Sequence, residues 1–328
     1  MIRRYPNELR GHLWPGILFL GALIVATASS NLFLQDAVIV ILLWAAIASA
    51  WNISGGFAGQ LSLGHAAFFG LGAYTSTLMN VHLGLSPWVG MLCGAVLAAV
   101  VGVFIGLAST RLRGPYFAMA TIAFAAALQV VAGRWYSLTG GNEGIPIPFK
   151  VGFENFMFSS KFSWNIIALV YVIAVYSIAV WIEHSRFGFQ LAGMRENESA
   201  AEALGIHTRW LKIAAISLSA FMTALGGTFY VQYAGFLDPG YVLSFSLSIK
   251  FALMCIIGGM ATPFGPILGA LLVTVLEMYL RAHLGGGSSG LYLIVYGVLL
   301  ILVVRLMPEG LIIGVPKLWQ RMRASPVA

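Results

Sequence analysis

The sequence predicts an all-α, polytopic helical membrane protein, and three observations predict it. Of 328 residues, 59% are hydrophobic and 9% charged, with a mean hydropathy of +0.89. Apolar windows of roughly 17 to 22 residues, long enough to cross a hydrocarbon core as helix, recur along nearly the whole chain. The Lys and Arg residues sit in the short gaps between windows rather than on one solvated face. The net charge of +7 therefore reads as membrane topology and excludes a nucleic-acid partner.

About ten spans are expected in one transmembrane domain over 1–328, at roughly 13–30, 36–53, 60–79, 88–109, 116–132, 164–183, 212–232, 245–260, 264–280 and 291–307. The first follows Arg3, Arg4 and Arg10 and ends near Ala26-Thr27-Ala28, which mimics a secretion-signal cleavage site; with further spans following at once, an uncleaved helix is expected. Between the second and third, "SGGFAGQLSLGHAAFFGLGAY" (54–74) breaks an apolar run with Gly and small polar residues. The fourth carries Gly90, Gly94, Ala98, Gly102 and Gly106 at every fourth position, a ridge without bulk that predicts a packing seam. It has no polar side chain with which to line a pore. After the fifth, the outer connection 133–163 holds "SLTGGNEGIPIPF", whose Gly, Pro and aromatic content suits an ordered loop. The sixth and seventh flank an inner connection, 184–212. The eighth and ninth flank "GGMATPFGPILGA" (258–270), a second glycine-rich interruption, and the tenth closes the set.

Threading these spans with the amino terminus inside leaves Arg3, Arg4, Arg10, Arg111, Arg113, Arg186, Arg195, Arg209, Lys212, Arg305, Lys317, Arg321 and Arg323 in the cytoplasm. Only Arg134, Lys150, Lys161 and Arg281 are then outside, so both termini are expected in the cytoplasm. Within the spans, Lys250 and Glu277 fall at nearly the same depth. They are expected to pair across the hairpin of the eighth and ninth spans, the alternatives being a Lys250 that snorkels and a Glu277 paired with Arg281.

Motif chemistry narrows the function. No lysine follows a glycine, so a nucleotide-phosphate loop is absent and any ATP must be bound by another chain. "GGSSG" (286–290) formally matches a nucleophilic-serine turn, with His283 and His65 as the nearest candidate bases in type, but an outer glycine-rich turn is the commoner meaning. The sequons at Asn52 and Asn197 fall near the inner side and read as coincidence. Cys93 and Cys255 lie in apolar runs and read as packing residues, with no metal-ligand spacing.

The segment "RENESAAEALGIHTRW" (195–210) concentrates charge between two spans. Asn197 or Ser199 can cap a helix there, Ser199 with Glu202 forms an S-x-x-E capping box, and Gly205 is placed to end it in the left-handed conformation. On that helix Glu198 and Glu202 share an edge, and Ala200, Ala201 and Leu204 make a shallow face. This geometry suits docking into a groove on a soluble partner; a solvated loop helix without a partner is the alternative. The two glycine-rich interruptions compete for a transport path, because unwound backbone at membrane depth survives where protein or a wet cavity satisfies it. Gln60, Ser62 and His65 would offer hydrogen bonds to a solute, with Gly59 and Gly64 giving room, and Gly258, Gly259 and Thr262 form the matching turn. His65 alone reads equally as an interhelical hydrogen-bonder.

On "GQLSLGHAAFFGLGAY" (59–74), "LRGPYFAMATIAFA" (112–125), "LTGGNEGI" (138–145), "RENESAAEALGI" (195–206) and "GGMATPFGPILGA" (258–270), the chain resembles the permease subunits of ABC importers for branched-chain amino acids, from about 36 to 314. The resemblance implies a transport subunit without catalytic residues or a cofactor of its own, in the bacterial cytoplasmic (inner) membrane. ATP and Mg would be bound by two partner ATP-binding subunits, a paralogous permease would stand beside this one, and uptake would proceed by alternating access. It makes 195–210 the coupling helix, with Arg195, Glu196, Asn197, Glu198, Ser199, Ala201, Glu202 and Gly205 meeting the ATPase, and makes the outer loop, at Thr139, Gly140, Gly141, Asn142 and Glu143, the landing site of a solute-binding protein. The chain departs from the importer coupling pattern E-A-A-x-x-x-G by Ser199 in place of the Glu, and Ala261 stands where relatives commonly have Gly. Permeases of this type also serve urea and aromatic acids. An ion-coupled secondary carrier would need a titratable group at the midplane, where this chain has almost none.

Overall fold

A computed structural model describes residues 31–112, 114–284, 291–306, 310–312 and 314. The expected first span, the GGSSG turn and the basic residues at both ends of the chain lie outside them. The helices are α1 (Leu32–Asn52), α2 (His65–Leu83), α3 (Pro87–Ser109), α4 (Pro115–Arg134), α5 (Tyr136–Thr139), α6 (Lys161–His184), α7 (Arg186–Glu196), α8 (Glu198–Ala203), α9 (Thr208–Ala234), α10 (Pro239–Val242), α11 (Phe245–Gly258), α12 (Gly265–Leu284) and α13 (Leu291–Leu306). Among the described residues, six helical segments are long and apolar enough to cross a bilayer: Leu32–Phe57, Pro87–Ser109, Pro115–Arg134, Lys161–His184, Thr208–Ala234 and Gly265–Leu284.

The differences from the expected spans have local causes. α1 runs on through a π-helical turn, Ile53–Phe57, before the chain unwinds, so the third span starts at His65 and not at 60. α11 has 14 residues, a rise of about 21 Å that falls short of the hydrocarbon thickness. Gly259, at φ 126°, ends it and turns the chain into α12.

α9 lies along α3 and α2, while α1 is flanked by α6, α11 and α12. The small-residue ridge of α3 forms the expected seam. Gly90 meets the backbone of Ser76, Gly94 that of Gly72, Gly102 that of Ser217 and Gly106 that of Ile213. Between α2 and α9 the approach is closer still: a Cβ on Gly227 would lie 2.0 Å from the Phe69 carbonyl oxygen, and one on Gly72 2.0 Å from that of Ala224. Cys255 is buried, as expected of a packing residue, but Cys93 is on the exposed side of α3.

The long connection is ordered at the opposite end of the bundle from 195–210. β1 (Ile145–Pro146) pairs antiparallel with β2 (Phe236–Leu237), Ile145 opposite Leu237. Phe156, fully buried, stacks on Trp88 at 4.1 Å and on Trp164 at 5.5 Å, and the Trp88 indole donates to the Phe153 carbonyl at 2.7 Å. Asp36 pairs with Lys161 and accepts from the Tyr233 hydroxyl, tying α1, α6 and α9 at the same end. One level deeper, Lys250 pairs with Glu277 at 2.6 Å and sits 4.8 Å above the Trp44 ring, so the hairpin pairing is the one formed.

Candidate functional site

The site is built where α1 breaks. The π turn places Ser54 so that its carbonyl accepts from the Gln60 amide at 2.8 Å, while the Trp51 indole donates to the Ser62 carbonyl at 2.8 Å. These two bonds fold the 58–64 segment back on itself. The next turn holds His65, fully buried: Nδ1 lies 2.9 Å from Ser62 Oγ and Nε2 2.8 Å from Ser219 Oγ. The proton of Ser219 Oγ is directed to the Ala50 carbonyl at 2.7 Å. The imidazole must then donate through Nε2 and accept from Ser62 through Nδ1, so both ring nitrogens are used in joining the break to α9. Leu63 N–H donates to Thr121 Oγ1 at 3.1 Å, adding α4.

The second interruption is joined to the first by Asn52. This fully buried side chain donates through Nδ2 to the Thr262 carbonyl at 2.9 Å, and its Oδ1 accepts from the Ala261 amide at 2.9 Å and the Cys255 thiol at 3.0 Å. Thr262 Oγ1 donates to the Gly259 carbonyl and accepts from Gly265 N–H, which rounds the turn. Gly258 and Gly259 sit where α11, α12 and the backbone of Gly310 crowd together, so their role in the structure is close backbone approach. Ala261 holds φ at 58°, a left-handed backbone that favours glycine.

On the same end lies the charged segment. Asn197, not Ser199, caps α8, its Oδ1 accepting from Ala200 N–H at 3.0 Å. The expected Ser199–Glu202 capping box does not form, because Ser199 is already inside the helix. Glu202 instead accepts from Thr208 Oγ1 at 2.6 Å, and Glu198 pairs with Lys212 of α9 at 2.5 Å. Both carboxylates thus bond to their own chain. Gly205 ends the helix at φ 83°, with its N–H on Glu202 O and Ile206 N–H on Ala201 O. Ala201 is buried inward, while Ala200 and Leu204 point out, Leu204 being 82% exposed. Arg195 reaches the break: Nη1 donates to the Gly56 carbonyl at 3.2 Å, and its stem fills the space a Cβ on Gly59 would need, while Nη2 contacts neighbouring Glu196.

These residues enclose a cavity of about 210 Å³ that brings Gly59 and Gln60 together with Arg195, Glu198 and Lys212. Gly258, Gly259 and Thr262 are outside it and connect through Asn52. Ser62 and His65 are buried and do not line it. At the far end, Thr139 is buried, donating to the Ala132 and Trp135 carbonyls, and Gly140 and Gly141 form left-handed turns. Asn142 and Glu143 are exposed, and Glu143 accepts from the Tyr136 hydroxyl at 3.1 Å, which raises the phenol's pKa. Sequence reasoning passed over Asn52, Ser109, Thr121 and Ser219. An Asn at the end of an apolar run before Gly-Gly was the available signal for the first; the others had none.

Residues 33–304 match the family model for the branched-chain amino acid transport system permease component. The chain is similar to the high-affinity branched-chain amino acid transport system permease protein LivM of Escherichia coli K12, at 27% identity over 90% of this chain and 74% of the relative. It is also similar to the permease protein LivH of the same organism and system, at 26% over 84% and 92%. A third relative, the autoinducer 2 import system permease protein LsrC of Yersinia enterocolitica, is 30% identical over 62% and 57%. No solved structure matches.

Proposed function

The chain belongs to the branched-chain amino acid transport permease family, and on that premise we propose that it carries branched-chain or related amino acids inward through the cytoplasmic membrane, by alternating access driven by ATP hydrolysis in two partner subunits. A paralogous permease completes the pathway, and a solute-binding protein delivers cargo to the face around Asn142 and Glu143. The observation that supports this most is the linkage of 195–210 to the broken helix. α8 is latched to α9 by Glu198 and Lys212, Arg195 grips the Gly56 carbonyl, and Leu204 and Trp210 stand exposed beside it. A force applied to that exposed face moves the unwound 58–64 segment through bonded contacts. Equilibrium shifts of this kind need a partner that binds one arrangement better than the other, which nucleotide-driven closure of an ATPase pair supplies.

The test is Gly205→Pro. Proline fixes φ near −65°, opposite in sign to the 83° observed, so α8 loses its terminus. The variant should insert and assemble with the ATP-binding subunits, yet lose ATP-driven leucine uptake and its coupling to ATP hydrolysis. Full uptake would remove the coupling assignment.

A further inference from the structure

The cavity between the broken helix and α8 has the composition of a ligand site. Gln60, which lines the cavity, is 6% exposed; its amide nitrogen donates to Ser109 Oγ at 3.0 Å, whereas its Oε1 is buried and has no hydrogen-bond partner among the described residues. An acceptor withheld from water without a donor costs about 1–3 kcal/mol, so the wall is incomplete as it stands. The same lining holds two cations and one carboxylate: Arg195, whose side chain is 34% exposed, and the Lys212–Glu198 pair. Apart from Ser109 the rest of the lining is apolar, with Leu61, Leu112, Phe117 and Met194. The volume of about 210 Å³ is the space of about seven waters, the scale of a small amino acid and too little for a nucleotide.

We propose that this cavity binds a zwitterionic aliphatic α-amino acid, with its carboxylate on Arg195 and Lys212, its ammonium on Gln60 Oε1 and Glu198, and its side chain against Leu112, Phe117 and Met194. The occupant bridges the unwound segment to the coupling helix and holds both in one arrangement. Rising solute on that side thereby restrains further import. The inference rests on the reading of the chain as an amino-acid importer permease.

The test uses the assembled transporter carrying Leu61→Cys in a Cys93→Ala background, in everted membrane vesicles, with a membrane-impermeant thiol reagent. Leu61 lines the cavity and is exposed, and retained ATP-driven uptake by the variant confirms its fold. L-Leucine at ten times its Kd should slow labelling about tenfold. Isocaproate, which lacks the ammonium, and leucinol, which lacks the carboxylate, should protect far less. Adding Gln60→Leu should abolish protection by leucine. Labelling unchanged by leucine, or slowed equally by isocaproate, overturns the site. Wild-type leucine uptake in right-side-out vesicles separates the two claims: uptake without protection refutes the cavity alone, and protection without uptake refutes the importer reading on which it rests.

Discussion

Replacing Asn52 by alanine tests whether the two glycine-rich interruptions are held together by one side chain. The substitution removes the donor to the Thr262 carbonyl and the acceptor for the Ala261 amide, both at 2.9 Å, together with the weak thiol bond from Cys255. Each backbone group left unpaired costs about 1–3 kcal/mol; both are only partly buried, so the lower half of that range applies and the sum is about 2–4 kcal/mol. That corresponds to a roughly 30- to 700-fold change in the unfolding equilibrium. The measurement is reversible unfolding of the purified protein in mixed micelles by increasing SDS fraction. Asn52→Leu, which keeps most of the volume without the hydrogen bonds, should lose as much. If alanine destabilises and leucine restores wild-type unfolding, a void and not the hydrogen bonds carries the effect, and the reasoning fails.

Lys250→Met should destabilise more than Lys250→Met combined with Glu277→Gln, with a coupling of about 1–2 kcal/mol in a double-mutant cycle; the value lies between exposed and buried pairs because both side chains are partly exposed. Ala261→Gly relieves a left-handed alanine and should stabilise by about 1 kcal/mol in the same SDS titration, and a loss there would contradict the strain. Gly227→Ala drives a methyl to within 2.0 Å of the Phe69 carbonyl oxygen and should cost about 1–3 kcal/mol, whereas Gly297→Ala, where a Cβ would meet no described residue, should be neutral or stabilise by up to about 1 kcal/mol. Equal effects from the two would dismiss the seam.

What the sequence disclosed depended on how local the cause was. The α3 ridge was legible because its spacing alone puts Gly90 through Gly106 on one face, and the Lys250–Glu277 pair was legible because equal depth in consecutive spans brings them level. The end of α8 at Gly205 followed from glycine's access to positive φ. The start of that helix did not. Asn197 and Ser199 are both good caps, and what decides between them is that Glu202 is drawn to Thr208, a contact across a turn that sequence spacing does not encode. The partners of Asn52 were hidden for the same reason: Ala261 and Thr262 are some two hundred residues away. The 58–64 segment was recognisable as a break, but that its Gln60 faces Ser109, and that its Gly59 accommodates the Arg195 stem, belong to tertiary structure.

The near-contact of backbones among α2, α3 and α9 limits how this protein can move. Helices separated by side chains slide when rotamers change, but where Gly72, Gly94 and Gly227 leave only main chain between them there is nothing to rearrange. The three must travel as a single stiff slab. Its joints then fall at its borders, in the non-helical stretches 58–64, 110–112 and 235–238, and in the proposed transport cycle a displacement delivered to Lys212 at the foot of α9 would tilt the whole slab.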